Sequence, residues 1–191
     1  SKNIYSILDE HNIVSEQVKS MCDAEHNILK KAFLLNESSK LQAYEKKAVQ
    51  DMDLCLTCSE YDQKFLAEYV QGHKVKIVPN GVDLEYFDYT KWRKRDNNKK
   101  IVTFIGPIDY YPNQQAVKFF IKNIFPQIKV FIQNIEFHII GQYSTKSLFQ
   151  EINGDSIRLL GRVEDVRPYL AETNVFVVPI LSGSGTRLKI L

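Results

Sequence analysis

The sequence predicts an α/β fold of two units, each a parallel sheet with helices on both faces. Three observations point to it. Short apolar runs bounded by turn residues alternate with helical spacings; residues 83–98 interrupt that alternation without a period of their own; and beyond them it begins again. Strands alternating with helices of this length pair in parallel, because each crossover helix returns the chain to the same end of the sheet. The expected organisation is the carboxyl-terminal part of one unit over residues 1–82, a linker over 83–98 and a second unit over 99–191, both units being incomplete.

Residues 4–8 form an apolar run stopped by Asp9, Glu10, His11 and Asn12, which reads as a strand emptying into a polar loop. From about Ser38 to Met52 the spacing of Leu41, Tyr44, Ala48 and Val49 is helical, and residues 53–58 read as a strand. Ser59, followed by Glu60 and Asp62, supplies a cap and first-turn acids for a helix ending near Gly72. Residues 75–78 form a further strand, closed by Pro79, Asn80 and Gly81. In the second unit the expected strands are 101–105, 135–140, 157–160 and 175–179. Helices are expected over about 113–124, 145–152 and 166–172, with another starting at Thr186.

If these four strands take the spatial order 3-2-1-4, the first lies beside the fourth at the switch point where such sheets bind ligands. The loops 106–113 and 181–186, the most marked by glycine and proline, then open at one crevice.

Composition excludes several classes. With 44% hydrophobic and 25% charged residues the chain has enough apolar surface for a packed core, and a net charge of +2 is too mild for a nucleic-acid partner. No stretch approaches the roughly 18 uninterrupted apolar residues of a membrane helix. Three cysteines, Cys22, Cys55 and Cys58, make no disulfide framework and fit a reducing compartment, so a cytoplasmic location is expected. Residues 91–95 (Lys-Trp-Arg-Lys-Arg) leave peripheral contact with an anionic membrane open beside the plainer reading of a solvated run.

Cys55 and Cys58 sit in a predicted strand, not at a helix start, and are read as core packing. Asp51 and Asp53 imitate a metal-binding Asp-x-Asp but precede their strand. No metal site is expected.

The residues of most chemical interest are Ser182, Gly183, Ser184, Gly185, Thr186, Arg187 and Lys189. Two glycines between a strand and a helix start let backbone amides approach an anion, and Arg187 and Lys189 add positive charge. Taken alone, the same pattern also fits a plain Gly-Ser loop followed by surface charges. It is not a P-loop, whose spacing is absent.

Val78-Pro-Asn-Gly-Val-Asp83, Phe104-Ile-Gly106, Tyr111-Pro-Asn113, Gly161-Arg-Val163, Val166-Arg-Pro-Tyr-Leu170 and Gly183-Ser-Gly-Thr-Arg-Leu-Lys-Ile-Leu191, in that order, resemble the retaining glycosyltransferases called group one or family four. The resemblance runs from about Asp53 to Leu191 and implies a GT-B fold of two Rossmann-like domains. It also implies transfer of a sugar from a nucleoside diphosphate donor to a glycan, lipid or other acceptor, with retention and without a metal ion or other cofactor.

It further implies a donor site at Gly106, Asn113, Arg162, Val163, Gly183, Ser184, Gly185, Thr186, Arg187 and Lys189, with the base against the backbone of Arg162 and Val163. The segment around His11 resembles the one carrying the family's active-site histidine; a solvated loop histidine is the other reading. Relatives place an Arg and a Lys on the donor diphosphate where this chain has Pro107 and Asn113. Arg187 and Lys189 are then the candidates to supply the missing charge, since an unpaired diphosphate in a cleft is costly. A second glutamate of the family pattern would follow Leu191, so the chain reads as a fragment, inactive by itself. Two rival functions are a GT-B sugar-nucleotide epimerase and an idle nucleotide-sugar-binding module.

Overall fold

A computed structural model describes residues 4–70, 74–92, 99–143, 155–181 and 188–190. The chain divides into two units, the first reaching Gly81 and the second running Val82–Leu181.

The first unit is a parallel sheet of order β1-β2-β3, made of β1 (Ile7–Glu10), β2 (Leu54–Thr57) and β3 (Val75–Ile77). Helices α1 (Val14–Ala24) and α2 (Ile28–Asp51) connect β1 to β2, and α3 (Glu60–Ala67) connects β2 to β3. Its core gathers Ile13, Val49, Cys55, Leu66 and Val75.

Helix α3 starts where the sequence places it: the Ser59 hydroxyl accepts from the Asp62 amide at 3.1 Å and donates to the Asp62 carboxylate at 2.6 Å. Helix α2 begins about ten residues earlier than its apolar spacing predicts. Asn27 caps it by accepting from the Leu29 and Lys30 amides, and Ile28, Leu29 and Phe33 in its first turns are exposed. Those turns carry no buried stripe, so periodicity alone could not find them. Helix α1 is tied to α2 by polar contacts: buried Glu45 accepts from the amide and hydroxyl of Ser15, and the Ser38 hydroxyl donates to the Ser15 carbonyl.

Cys55 and Cys58 are both buried free thiols. Burial first, then the nearby Glu10 and Asp9 carboxylates, push the Cys55 thiol up to about 11, which keeps it protonated and inert. Asp53 accepts from the Ser6 amide and hydroxyl and fastens the start of β2.

The second unit is a parallel sheet of order β6-β5-β4-β7, built from β4 (Lys100–Ile105), β5 (Ile135–Ile140), β6 (Ile157–Gly161) and β7 (Val175–Phe176). In the unit's own numbering this is the order 3-2-1-4 expected from the sequence, with β4 paired to β5 on one side and β7 on the other. Helices α4 (Tyr111–Phe119) and α5 (Phe125–Phe131) lie between β4 and β5, and α6 (Arg167–Glu172) between β6 and β7.

A π-turn, Phe120–Ile124, joins α4 to α5 where the sequence predicts a helix end. Pro126 has no N–H to give to the preceding turn, and the π-turn absorbs that loss. Its wider spacing sets Phe120 and Phe125 on one face, where both pack on Phe137 of β5 at ring distances of 4.6 and 5.8 Å. Val102, Phe104, Ala116, Val117 and Ile139 complete this core.

Residues 83–92, expected to lack structure, are folded. They form two consecutive turns ending in a short 3-10 helix, Tyr89–Lys91. The helices expected over 145–152 and from Thr186 lie wholly or partly outside the described residues; a 3-10 turn, Leu188–Ile190, follows the latter.

Candidate functional site

Three strands of the second unit end on glycine, Ile105-Gly106, Ile140-Gly141 and Leu160-Gly161, and they are neighbours in the sheet. The ladder continues through those glycines, the Gly106 amide donating to Ile140 at 2.9 Å and the Gly141 amide to Gly161 at 2.8 Å. The carboxyl ends of β4, β5 and β6 therefore finish as a shelf of bare backbone about 10 Å across, two strand spacings wide. Gly141 is required there. Its φ is +152°, and a Cβ on it would lie 1.9 Å from the Gly106 carbonyl oxygen. Gly161 has φ +69°, a left-handed conformation that side chains rarely adopt.

The β4 and β5 loops are then locked together. The Ile108 amide donates to the Gln142 carbonyl at 2.8 Å, and the buried Asn113 side-chain amide donates to the Pro107 carbonyl at 2.8 Å. Asn113 thus holds the loop that presents Gly106, from the first turn of α4. That helix starts at Tyr111 after an N-cap, Tyr110, that makes no side-chain cap hydrogen bond, and its positive end lies beside the shelf. Such an end, next to a glycine-lined sheet edge at a switch point, is chemically suited to an anion.

Of the residues singled out by sequence, the structure brings Gly106, Asn113, Arg162 and Val163 to this one edge of the second unit. Arg162 is exposed and Val163 half-buried, immediately after β6. Gly183, Ser184, Gly185, Thr186 and Arg187 lie outside the described residues. Lys189 is on the Leu188–Ile190 turn, half-buried, and is grouped with the first unit. Gly141 was missed by sequence reasoning. The signal was available, since each of three apolar runs is followed directly by a glycine.

His11 belongs to the first unit, just beyond β1. Its imidazole is two-thirds exposed, with Nε2 3.7 Å from an Asp9 carboxylate oxygen, and its carbonyl accepts from the Cys58 thiol at 3.3 Å. The neighbouring Glu10 carboxyl is pushed above its ordinary range, by burial first and then by Glu45 and Asp62. Asp62 is fully buried, and one of its oxygens has no hydrogen-bond partner among the described residues. Among the described residues, no group of three or more His, Cys, Asp or Glu is placed to hold a metal ion. No helix among them is long and apolar enough to cross a membrane.

Comparison with known proteins places this geometry in context. The family described as "Glycosyl transferases group 1" matches residues 99–191. No curated protein matches the chain. Among solved structures, the chain is similar to TarM, with a TM-score of 0.57 at 14% identity over 78% of this chain and 29% of that one. It is also similar to HepE of Anabaena in complex with UDP and glucose, with a TM-score of 0.53 at 14% identity over 89% of this chain and 45% of that one. A TarM variant from S. aureus in complex with Fondaparinux, alpha-GlcNAc-glycerol and UDP gives 0.53 at 13% identity, over 72% of this chain and 27% of that one. The chain thus spans less than half the length of these solved chains. Identities this low bear on the fold alone, and the shared fold is the parallel α/β, GT-B-type architecture described above.

Proposed function

We propose that this chain is part of a retaining GT-B glycosyltransferase that moves a sugar from a nucleoside diphosphate donor to a glycan or lipid-linked acceptor. One observation carries the reading: the shelf of Gly106, Gly141 and Gly161 lies beside the start of α4, at the switch point of a sheet whose residues match the glycosyltransferase family.

In this reading the donor diphosphate lies against the amides at the start of α4 and those of Gly183, Ser184, Gly185 and Thr186. Arg187 and Lys189 supply the charge that Pro107 and Asn113 do not. The base rests on the backbone of Arg162 and Val163. Stabilising negative charge as it builds on the departing diphosphate is electrostatic catalysis, and no metal ion or other cofactor enters. His11 is proposed to face the transferred sugar. The UDP and UDP-glucose complexes of the solved neighbours make a uridine nucleotide the first donor to test. Transfer is assigned to the whole enzyme, and this chain alone is expected not to turn over.

The test uses the full-length enzyme with uridine and guanosine diphosphate sugars, following nucleotide release and the anomeric configuration of the product. Release that needs an acceptor, persists in chelator and gives a retained anomer supports the proposal. His11→Ala should lower kcat with little change in donor affinity. Failure of the full-length enzyme to bind either nucleotide would overturn the reading.

A further inference from the structure

We infer that Arg167 fastens residues 83–92 to α6 of the second unit as a folded strap, which leaves residues 79–81 as the unheld stretch before it. The last tie to the first unit is the Val78 amide, which donates to the Thr57 carbonyl at 2.8 Å. After it, residues 79–81 make no hydrogen bond with the described residues, and a Cβ on Gly81 would meet nothing within 4 Å.

Order resumes at Asp83. Its carboxylate accepts from the Glu85 and Tyr86 amides at 3.0 and 2.9 Å, and the Phe87 amide returns to its carbonyl. Asp88 repeats the device, accepting from the Thr90 amide at 2.9 Å, and the Lys91 ammonium ties the two turns by donating to the Glu85 carbonyl at 3.1 Å. Side chains of this type closing successive turns give a segment its own shape without a core.

Arg167, near the start of α6, holds that shape in place. Its guanidinium carbon lies 3.8 Å from the centroid of the Tyr86 ring and 5.1 Å from that of Trp92, and Nη1 donates to the Tyr86 carbonyl at 3.3 Å. The Asp165 carboxylate takes Nε and Nη2 at 2.9 and 2.8 Å, which fixes the plane of the fork. One planar cation thus meets two rings and a carbonyl of the strap, a combination that Lys cannot reproduce. Arg167 is a positioning residue in this role: through its ring and carbonyl contacts, Tyr86 travels with α6.

Hydrogen exchange on the chain as it stands tests this. The Tyr86, Phe87 and Lys91 amides should exchange at least tenfold more slowly than those of Asn80 and Gly81. Arg167→Ala should erase that difference while β4 and β5 stay protected, and Arg167→Lys should not restore it. Trp92 is the sole tryptophan, so its emission reports the same event. Exchange over 83–92 as fast as over 79–81 in the unaltered chain, or unchanged exchange and emission in Arg167→Ala, would overturn the strap. Should Arg167→Ala unsettle the sheet itself, Tyr86→Leu removes the ring and keeps the carbonyl. Fast exchange over 83–92 with a protected sheet then supports the inference, and unchanged exchange defeats it.

Discussion

The carbonyl oxygen of Gly106 occupies the space that a Cβ on Gly141 would need, 1.9 Å from its ideal position. Gly141→Ala must therefore push the β4 and β5 loops apart and should cost roughly 2 kcal/mol or more. Gly81→Ala, in open space, is the control and should lie between zero and a gain of about 1 kcal/mol. Urea titration measures both. A Gly141→Ala midpoint equal to that of the unaltered chain would show that the shelf is not rigid.

That relationship also marks how far the sequence could be read. Strand positions in the second sheet are legible because β4, β5 and β6 are apolar runs bounded by turns, whereas the 3-2-1-4 order that the sheet shows could only be assumed from the doubly wound pattern. The contact of Gly141 with Gly106 was not, because it joins residues 35 apart that meet only through strand pairing. Helix α1 and the start of α2 escaped for a different reason: polar contacts of Ser15, Ser38 and Glu45 hold them, and Ile28, Leu29 and Phe33 face outward. Residues 83–92 read as structureless because Asp83 and Asp88 close turns that have no period. His11 and Asn113 stand out in the sequence for their place in a pattern, and the structure gives Asn113 the task of holding the Pro107 carbonyl.

Glu45 sits mid-helix, buried, and takes both donors of Ser15. Glu45→Ala leaves the amide and hydroxyl of Ser15 without that acceptor and should destabilise the first unit by about 2–3 kcal/mol. Ser15→Ala removes only the hydroxyl and should cost about 1 kcal/mol. Equal effects of the two substitutions in thermal unfolding would mean that the Ser15 amide bond contributes nothing.

Glu136 gives the second unit an acid-sensitive element. Burial alone would raise its carboxyl, but hydrogen bonds from His138, Lys99 and Arg158 outweigh that and hold it at about 2. Its folded value is depressed, so the stabilisation is fully present above the ordinary carboxylate range near 4.5 and is lost as pH falls towards 2. Discounted for solvent screening, the loss should be on the order of 1–2 kcal/mol. Glu136→Gln should flatten the stability profile between those pH values. A variant with the same acid slope as the parent would assign that slope to other groups.

The proposed donor site needs compensating charge. A donor diphosphate carries about two negative charges, and the amides at the start of α4 contribute only about half a positive charge. Pro107 offers no cation, and the side-chain amide of Asn113 is given to the Pro107 carbonyl, so under the proposed function the balance is assigned to other cations. Arg187 and Lys189 are the cations next to the Gly183 and Gly185 loop in sequence. In the full-length enzyme, Arg187→Ala or Lys189→Ala should weaken nucleoside diphosphate binding at least tenfold, the loss of one charge-assisted contact worth about 1.5–3 kcal/mol. Lys122→Ala, exposed on the π-turn, should leave it unchanged. The weakening should shrink for the nucleoside monophosphate, which presents less charge to the same cations. Titration calorimetry with both nucleotides separates the outcomes: an equal loss for the two ligands would point to a general loosening of the unit, and no loss for either would remove Arg187 and Lys189 from the site.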